Sequence, residues 1–137
     1  MFIDRNKVFA LDTSEEMLTE VEKRALVAEI SNVVTINTEE YHLKLPDASI
    51  TFALLVNVLH EIDDRKRFIG EIKRILKIEG RLAVVEWKKE DMEMGPPAGH
   101  RIGFDETVKL IIEEGLYRID EMEFAEAFYG IVFRKQQ

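Results

Sequence analysis

The sequence predicts an α/β fold with a mainly parallel sheet and helices on both faces of that sheet. Two observations support this prediction: short apolar segments alternate with helix-periodic segments, and the chain ends in two strand-like segments only a few residues apart. The alternation is typical of parallel strands joined by helices, and the final pair predicts an antiparallel hairpin. The 137 residues fit one domain, spanning residues 1–137.

The first strand is predicted at residues 8–11, an all-apolar run followed by Asp12. Thr13 with Glu16 three residues later has the pattern of a capping box, which predicts the start of an amphipathic helix. We expect this helix to end near residues 31–32.

The β-branched residues 33–36 predict a second strand, which a polar loop follows. Residues 50–59 form the longest apolar run, so a strand buried on both faces is predicted to begin there. Asp63 and Asp64 offer an N-cap for the next helix, and Gly80 is its expected end.

Residues 82–85 predict the next buried strand, and the charged, Pro- and Gly-rich residues 87–103 predict a long loop. The two buried strands should pair in parallel because a single helix connects them. One further amphipathic helix is expected to stop at Gly115. Residues 117–124 and 128–133 predict the antiparallel hairpin.

Composition and charge narrow the class of partner. The net charge is −8, with 19 basic against 27 acidic residues, which argues against binding to nucleic acid or to anionic membranes. There is no cysteine, and no apolar stretch approaches the ~18 residues of a membrane span. We therefore expect a cytoplasmic protein with a small-molecule partner. Abundant Glu and Lys with scarce Asn and Gln favour a thermophilic source.

Candidate site residues follow the predicted strands, because ligands of such sheets bind at the carboxyl ends of the strands. The Asp12 carboxylate could accept hydrogen bonds from both hydroxyls of a ribose, or it could simply stabilise the start of the helix. Glu39 and Glu40 follow the second strand, where a carboxylate could meet an adenine amino group. Adjacent acids in a loop are also commonly solvated surface.

A second group of candidates follows the central apolar run. Asn57 interrupts that run, and a buried amide needs hydrogen-bond partners that a ligand could supply. His60 and Glu61 come next and could move or orient a proton, although a histidine after a strand is often only a packed or capping residue. His42 and His100 lack the spacing of metal ligands, so no metal is assigned.

Four segments together resemble one known family. They are VFALDTSEEML, LKLPDASITFALLVNVLHEIDD, KRILKIEGRLAVVEWKKED and GFDETVKLIIEEGLY. In their order and spacing they resemble the Rossmann-like S-adenosylmethionine-dependent methyltransferases, above all the ubiquinone and menaquinone biosynthesis type, also called methyltransferase type 11. The resemblance covers residues 7–134.

The resemblance implies a Rossmann-like methyltransferase sheet and S-adenosylmethionine as the cofactor. Asp12 would bind the ribose hydroxyls and Met17 would pack on the adenine. The implied cofactor-binding residues are Asp12, Thr13, Met17, Glu39, Glu40 and Asn57. The reaction would be in-line transfer of the sulfonium methyl group to a small-molecule acceptor.

The resemblance also implies the acceptor side of the site. His60 would lie near the acceptor, with His60 or Glu61 as the base if the acceptor carries a proton. Trp87 and Lys88 leave the fifth strand of the family's sheet and would line the acceptor pocket.

The sequence departs from the family at three places. Thr51 stands where the family usually has Asp, and residues 78–79 replace a usual Pro-Gly turn. We also expect the family's first strand and its glycine-rich turn to be missing, since the chain starts at the strand of residues 8–11. This loss should expose two sheet edges, so we expect a homo-oligomer, a partner chain over the edges, or weak cofactor binding.

Two other functions stay open at this point. A nicotinamide-dependent reductase would use Asp12 in the same way, although the dinucleotide fingerprint and a Tyr-Lys pair at catalytic spacing are both missing. The other is a truncated or degenerate relative of the methyltransferases that acts as a non-catalytic binding or assembly module, which leaves the enzyme assignment open.

Overall fold

The computed structural model describes residues 7–90 and 95–136. The described elements are β1 (Val8–Asp12), α1 (Glu15–Val27), β2 (Val33–Asn37), β3 (Ile50–Val56), α2 (Arg65–Ile75), β4 (Leu76–Trp87), α3 (Phe104–Glu113), β5 (Leu116–Phe124) and β6 (Phe128–Lys135). Residues 91–94 of the predicted loop lie outside the described residues. The chain divides into two compact units, one ending at Lys44 and one beginning at Leu45.

In the first unit, β1 and β2 pair in parallel, as expected for strands joined by a helix. The register runs from Val8 opposite Val33 to Asp12 opposite Asn37. Because the strands are parallel neighbours, their carboxyl ends lie at the same edge of the sheet, and so do the loops that follow them.

The start of α1 differs from the prediction. Ser14, rather than Thr13, is the N-cap, and its Oγ accepts a hydrogen bond from the Met17 amide at 3.3 Å. The Asp12 carboxylate accepts a hydrogen bond from the Ser14 amide at 2.9 Å, which closes a turn over residues 12–14. The helix therefore begins one residue later than predicted. The predicted capping box of Thr13 and Glu16 is therefore wrong.

Helix α1 also ends earlier than predicted, at Val27 instead of near residues 31–32. The amide of Ile30 donates to the Ala25 carbonyl at 2.8 Å, and the amide of Glu29 donates to Leu26 at 3.1 Å. This is the Schellman arrangement, with Glu29 at a φ of 58° in the position that glycine usually occupies. Without a glycine, the sequence carries no signal for this stop.

The second unit contains a four-stranded sheet in the order β3-β4-β6-β5. Strands β3 and β4 are parallel, with Val56 opposite Val85, and β6 is antiparallel to both β4 and β5. This confirms the predicted parallel pairing of the two strands and the hairpin at one end of the sheet.

Helix α2 passes directly into β4, which makes the predicted helix stop at Gly80 wrong. The ammonium group of Lys135 donates to the carbonyls of Lys73 at 2.8 Å and Leu76 at 2.7 Å, so a cation satisfies carbonyls at the end of the helix. Gly80 instead lies inside β4. A Cβ atom at this position would lie 2.6 Å from the Lys77 carbonyl oxygen, so the strand needs glycine for close backbone approach.

The core of the second unit lies between its sheet and the helices α2 and α3. It is built from fully buried aliphatic and aromatic side chains, among them Ile69, Leu82, Val84, Ile111 and Phe133. Helix α3 ends before Gly115, whose φ of 93° confirms the predicted stop.

Strand β3 is less buried than predicted. Phe52, Leu54 and Val56 are 52%, 58% and 49% exposed, so the expectation of a strand buried on both faces is wrong. These three side chains alternate along β3 and therefore share one face of the sheet, which is uncovered at this edge strand. No helix within the described residues is long and apolar enough to span a membrane.

Candidate functional site

The carboxyl ends of β1 and β2 are tied together by hydrogen bonds around Asp12. The Asp12 carbonyl oxygen accepts the Thr38 amide at 2.9 Å, and the Asn37 side-chain amide donates to the Thr13 carbonyl at 3.2 Å. The Asp12 carboxylate is half-buried and accepts the Ser14 amide through Oδ1. A carboxylate has about four lone-pair sites, so one such bond leaves capacity for a ligand.

The loop after β2 places Glu39 and Glu40 at the same edge as Asp12. Glu39 and His42 exchange backbone hydrogen bonds at 3.2 Å, which closes a tight turn, while the neighbouring Thr38 is only 6% exposed. Glu39 is exposed and Glu40 half-buried. The first unit therefore places both acids at the edge of the sheet where β1 ends in Asp12.

Thr13 and Met17 lie at the start of α1, beside this edge. Thr13 is exposed, and Met17 is 55% exposed in the first turn of the helix. Asn37 also belongs to this group by position, and sequence reasoning missed it. Its signal is an amide side chain that directly follows the β-branched run of the second strand.

In the second unit, Asn57 directly follows β3. Its backbone has a φ of 56°, in the left-handed region, and its amide donates to the Val85 carbonyl at 2.8 Å. The side-chain oxygen Oδ1 is buried and accepts no hydrogen bond from any residue in the ranges 7–90 and 95–136. A buried acceptor without a donor is costly, which makes this atom a candidate for contact with a ligand.

His60 lies in a single 3₁₀ turn, Leu59–Glu61, and is held by a buried carboxylate. Its Nδ1 lies 2.9 Å from Oε2 of Glu86, and its backbone amide donates to Oε1 of Glu86 at 3.0 Å. The Glu86 side chain is 1% exposed and that of His60 is 11% exposed. Glu61, by contrast, is 73% exposed with Oε1 3.8 Å from Nε2 of His60, too far for a hydrogen bond.

Sequence reasoning missed Glu86, although the sequence contains a signal for it. Glu86 is the one charged residue in the apolar run of residues 82–87, just as Asn57 is a polar residue at the end of an apolar run. A charge inside a buried strand needs partners, and the backbone amide and the ring of His60 are the partners here.

Arg65 holds the turn that carries His60. Its guanidinium donates to the carbonyls of Leu59 at 3.2 Å and His60 at 3.3 Å, and it also contacts the Glu106 carboxylate on α3 at 3.3 Å. The backbone of His60 is thus held at its amide by Glu86 and at its carbonyl by Arg65.

Trp87 and Lys88 contact the final hairpin. The Trp87 ring packs on Phe128 with ring centroids 4.3 Å apart, and the Arg101 guanidinium lies 5.3 Å from the Trp87 ring. Lys88 lies with its ammonium group 3.4 Å from the Glu123 carboxylate and lines a cleft of about 600 Å³.

Tyr129 also lines this cleft, beside Phe104. Its hydroxyl donates to the Ile102 carbonyl at 2.7 Å and lies 2.9 Å from the Thr107 hydroxyl. Burial raises the pKa of Tyr129 well above its ordinary value, so the phenol stays a neutral donor. No cluster of three or more His, Asp or Glu side chains suited to a metal ion occurs in the described part of the chain.

Comparison with known proteins defines the family. Residues 2–84 match the family model described as "Methyltransferase domain", which is more than half of the chain. The chain therefore belongs to this methyltransferase family, as its resemblance to the type 11 enzymes predicts. No curated protein matches the sequence.

Solved structures confirm the Rossmann-like methyltransferase fold. A SAM-dependent methyltransferase from Aquifex aeolicus is 28% identical with a TM-score of 0.88, over 93% of this chain and 68% of that one. A putative type 11 methyltransferase from Sulfolobus solfataricus is 26% identical with a TM-score of 0.80, over 96% and 72%.

A third similar structure contains bound ligands. It is the 1,6-didemethyltoxoflavin-N1-methyltransferase of Burkholderia thailandensis, solved with bound 1,6-didemethyltoxoflavin and S-adenosylhomocysteine. It is 18% identical with a TM-score of 0.74, over 96% of this chain and 62% of that one, so the similarity concerns the fold.

Proposed function

We propose that this chain binds S-adenosylmethionine and transfers its methyl group to a small-molecule acceptor. The observation that carries the proposal is the position of Asp12, whose carboxylate ends β1 at the edge where the parallel pair β1 and β2 terminates. In sheets of this type that edge is the ligand edge. The family membership and the 28%-identical SAM-dependent relative support the same ligand.

The first unit would hold the adenosine part of the cofactor. Asp12 accepts hydrogen bonds from the ribose hydroxyls, with Thr13 beside it. The exposed Met17 side chain packs on the adenine, and Glu39 or Glu40 accepts a hydrogen bond from the adenine amino group. Support comes from the exposure of Met17 and Glu39 at the strand edge that ends in Asp12.

In the second unit, Asn57 would face the methionine part of the cofactor. Its buried Oδ1 lacks a donor within the described residues, and a methionine ammonium group carries three N–H donors. Trp87 and Lys88 are the proposed acceptor-side residues, and Lys88 contributes through the cleft that it lines.

When bound, S-adenosylmethionine supplies a methyl group that is already activated by the sulfonium charge. The work left to the protein is to hold donor and acceptor in line and to exclude water. His60 is the proposed proton acceptor, because its ring is held in place by Glu86, with Glu61 as the alternative.

The exposed edge of β3 supports self-association, which we propose as the state of the chain in solution. Phe52, Leu54 and Val56 present apolar surface on a strand with one sheet neighbour in its unit, and such edges pair readily with another strand. A second copy of the chain is the proposed partner, with a different chain as the alternative. The single domain, cytoplasmic location and thermophilic source stay predictions.

Isothermal titration calorimetry tests the proposed function. The chain should bind S-adenosylmethionine and S-adenosylhomocysteine and should not bind NADH or NADPH. Binding of a nicotinamide cofactor in place of S-adenosylmethionine would favour the reductase. Binding of none of the four would leave the non-catalytic module as the better account.

A further inference from the structure

We propose that Glu86 is a positioning residue that holds His60 in the Nδ1–H tautomer, which leaves Nε2 as the proton acceptor of the site. The catalytic consequence rests on the proposed function, whereas the tautomer itself does not. The starting observation is that one buried carboxylate contacts both the backbone and the ring of the same histidine.

The geometry of the contact is specific. Oε1 of Glu86 accepts the His60 backbone amide at 3.0 Å, while Oε2 lies 2.9 Å from Nδ1 of the ring. The two oxygens of one carboxylate thus fix where the turn lies and how the ring is oriented. Arg65 restrains the turn from the other side through the His60 carbonyl at 3.3 Å.

The tautomer follows from the chemistry of the two groups. An ionised carboxylate can only accept hydrogen bonds, so Nδ1 must carry the hydrogen in its contact with Glu86. In a neutral imidazole with Nδ1–H, the lone pair resides on Nε2. The contact at Nδ1 therefore makes Nε2 the basic atom, and Glu61 at 3.8 Å does not occupy it with a hydrogen bond.

Charged and titratable groups face His60 from several elements of the second unit. Glu86 faces the ring from β4, and Glu61 adjoins it in the same turn. Arg65 from α2 contacts the His60 carbonyl, and the Tyr129 phenol from β6 interacts electrostatically with Glu86. When Nε2 gains a proton, the imidazolium lies against the buried Glu86 carboxylate, which stabilises the new charge.

This arrangement defines a class of acceptor. As the acceptor oxygen or nitrogen forms its bond to the methyl carbon, the carbon–sulfur bond breaks and its electron pair stays on sulfur. The acceptor's proton passes to Nε2 of His60, which later releases it to water. The substrate class is therefore a small molecule with an O–H or N–H group, such as a phenol, an enol or an amine, rather than a thioether or a tertiary amine.

Nitrogen-15 NMR of the imidazole rings tests the tautomer in the intact chain without any substrate. The sequence has three histidines, so a His60→Asn variant assigns the His60 signals by their loss. At a pH where the ring is neutral, the expected spectrum shows a protonated Nδ1 and an unprotonated Nε2. A neutral His60 protonated on Nε2 would refute the proposal, and this test needs no Glu86 variant to fold.

Glu86→Gln tests the cause. The amide keeps the shape of the carboxylate but offers an N–H₂ group to Nδ1, so the Nε2–H tautomer should become the main form. Glu79→Gln is the matched control, because it makes the same change in the same strand at a side chain that is 65% exposed. The control should leave the His60 spectrum unchanged.

These experiments distinguish a failure of the proposed role of Glu86 from a failure of the proposed methyltransferase function. A His60 tautomer that is the same in wild type and in folded Glu86→Gln would overturn the role of Glu86 while leaving cofactor binding untouched. With an acceptor of the stated class, Glu86→Gln should lower kcat by about 100-fold or more, the range of general base catalysis, with an unchanged Kd for S-adenosylmethionine. Equal kcat values for the Glu86→Gln and Glu79→Gln variants would also contradict it.

Discussion

The carboxylate of Asp12 should contribute far more to cofactor binding than to stability. Among residues 7–90 and 95–136 it has one hydrogen-bond partner, the Ser14 amide at 2.9 Å, at a half-buried position. Loss of that bond in Asp12→Ala should lower the free energy of unfolding by about 0.5–1 kcal/mol, as for other helix-start groups. Two hydrogen bonds from ribose hydroxyls to a charged acceptor contribute about 3 kcal/mol or more, so the Kd should rise by about 100-fold.

Ser14→Ala is the matched control for this prediction. It removes the hydroxyl that caps α1 through the Met17 amide and should lower stability by about 1 kcal/mol. Its Kd for S-adenosylmethionine should stay within about twofold of wild type, since it keeps the carboxylate. Calorimetric titration gives the Kd values, and urea unfolding gives the stabilities. If both variants weaken binding equally, the geometry of the helix start rather than the Asp12 carboxylate determines affinity.

Three further predictions concern packing and assembly. Tyr129→Phe leaves the buried Ile102 carbonyl without its donor and the buried Thr107 hydroxyl without its acceptor, and it should lower the free energy of unfolding by about 1–3 kcal/mol in urea. Tyr117→Phe, at a half-buried hydroxyl that accepts from the partly exposed Arg134, should lower it by less. Gly80→Ala places a Cβ 2.6 Å from a backbone oxygen and should lower the free energy of unfolding by about 1–3 kcal/mol. Gly99→Ala, where a Cβ would have no atom within 4 Å, should leave that free energy nearly unchanged. Equal effects of the two variants would contradict the packing argument. Light scattering should report a species larger than the monomer, and Leu54→Lys should shift it towards the monomer; a wild-type monomer would refute the proposed self-association.

The sequence was sufficient to predict most of the fold, because hydrophobic periodicity determines which segments become strands and helices. The parallel pairing of β3 with β4 and the hairpin of β5 and β6 were both predictable from segment order. The errors concern the ends of two helices, which backbone hydrogen bonds determine rather than hydrophobic periodicity. Helix α1 is followed by a left-handed Glu29. Helix α2 ends without a glycine, and carbonyls at its end accept hydrogen bonds from distant groups, namely the amides of Ala48 and Ser49 and the ammonium group of Lys135.

The candidate site was only partly predictable. Residue type and strand position identify Asp12 and Asn57, since each is a polar residue at the end of an apolar run. The partnership of His60 with Glu86 joins residues 26 positions apart and depends on the register between β3 and β4, which the sequence alone does not give. The neighbours His60 and Glu61 differ in the exposure of their side chains. Hydrophobic periodicity cannot predict that difference, because both residues lie in a turn of only three residues.

Backbone-amide NMR during titration with S-adenosylmethionine tests most directly that this chain is a cofactor-binding methyltransferase. We predict saturable shifts of the amides of residues 12–14 and 39–40, at the carboxyl edge of β1 and β2. In Asp12→Ala these shifts should require about 100-fold more ligand. If the amides stay unmoved at saturating ligand, or if the shifts fall only elsewhere, the proposed site is contradicted.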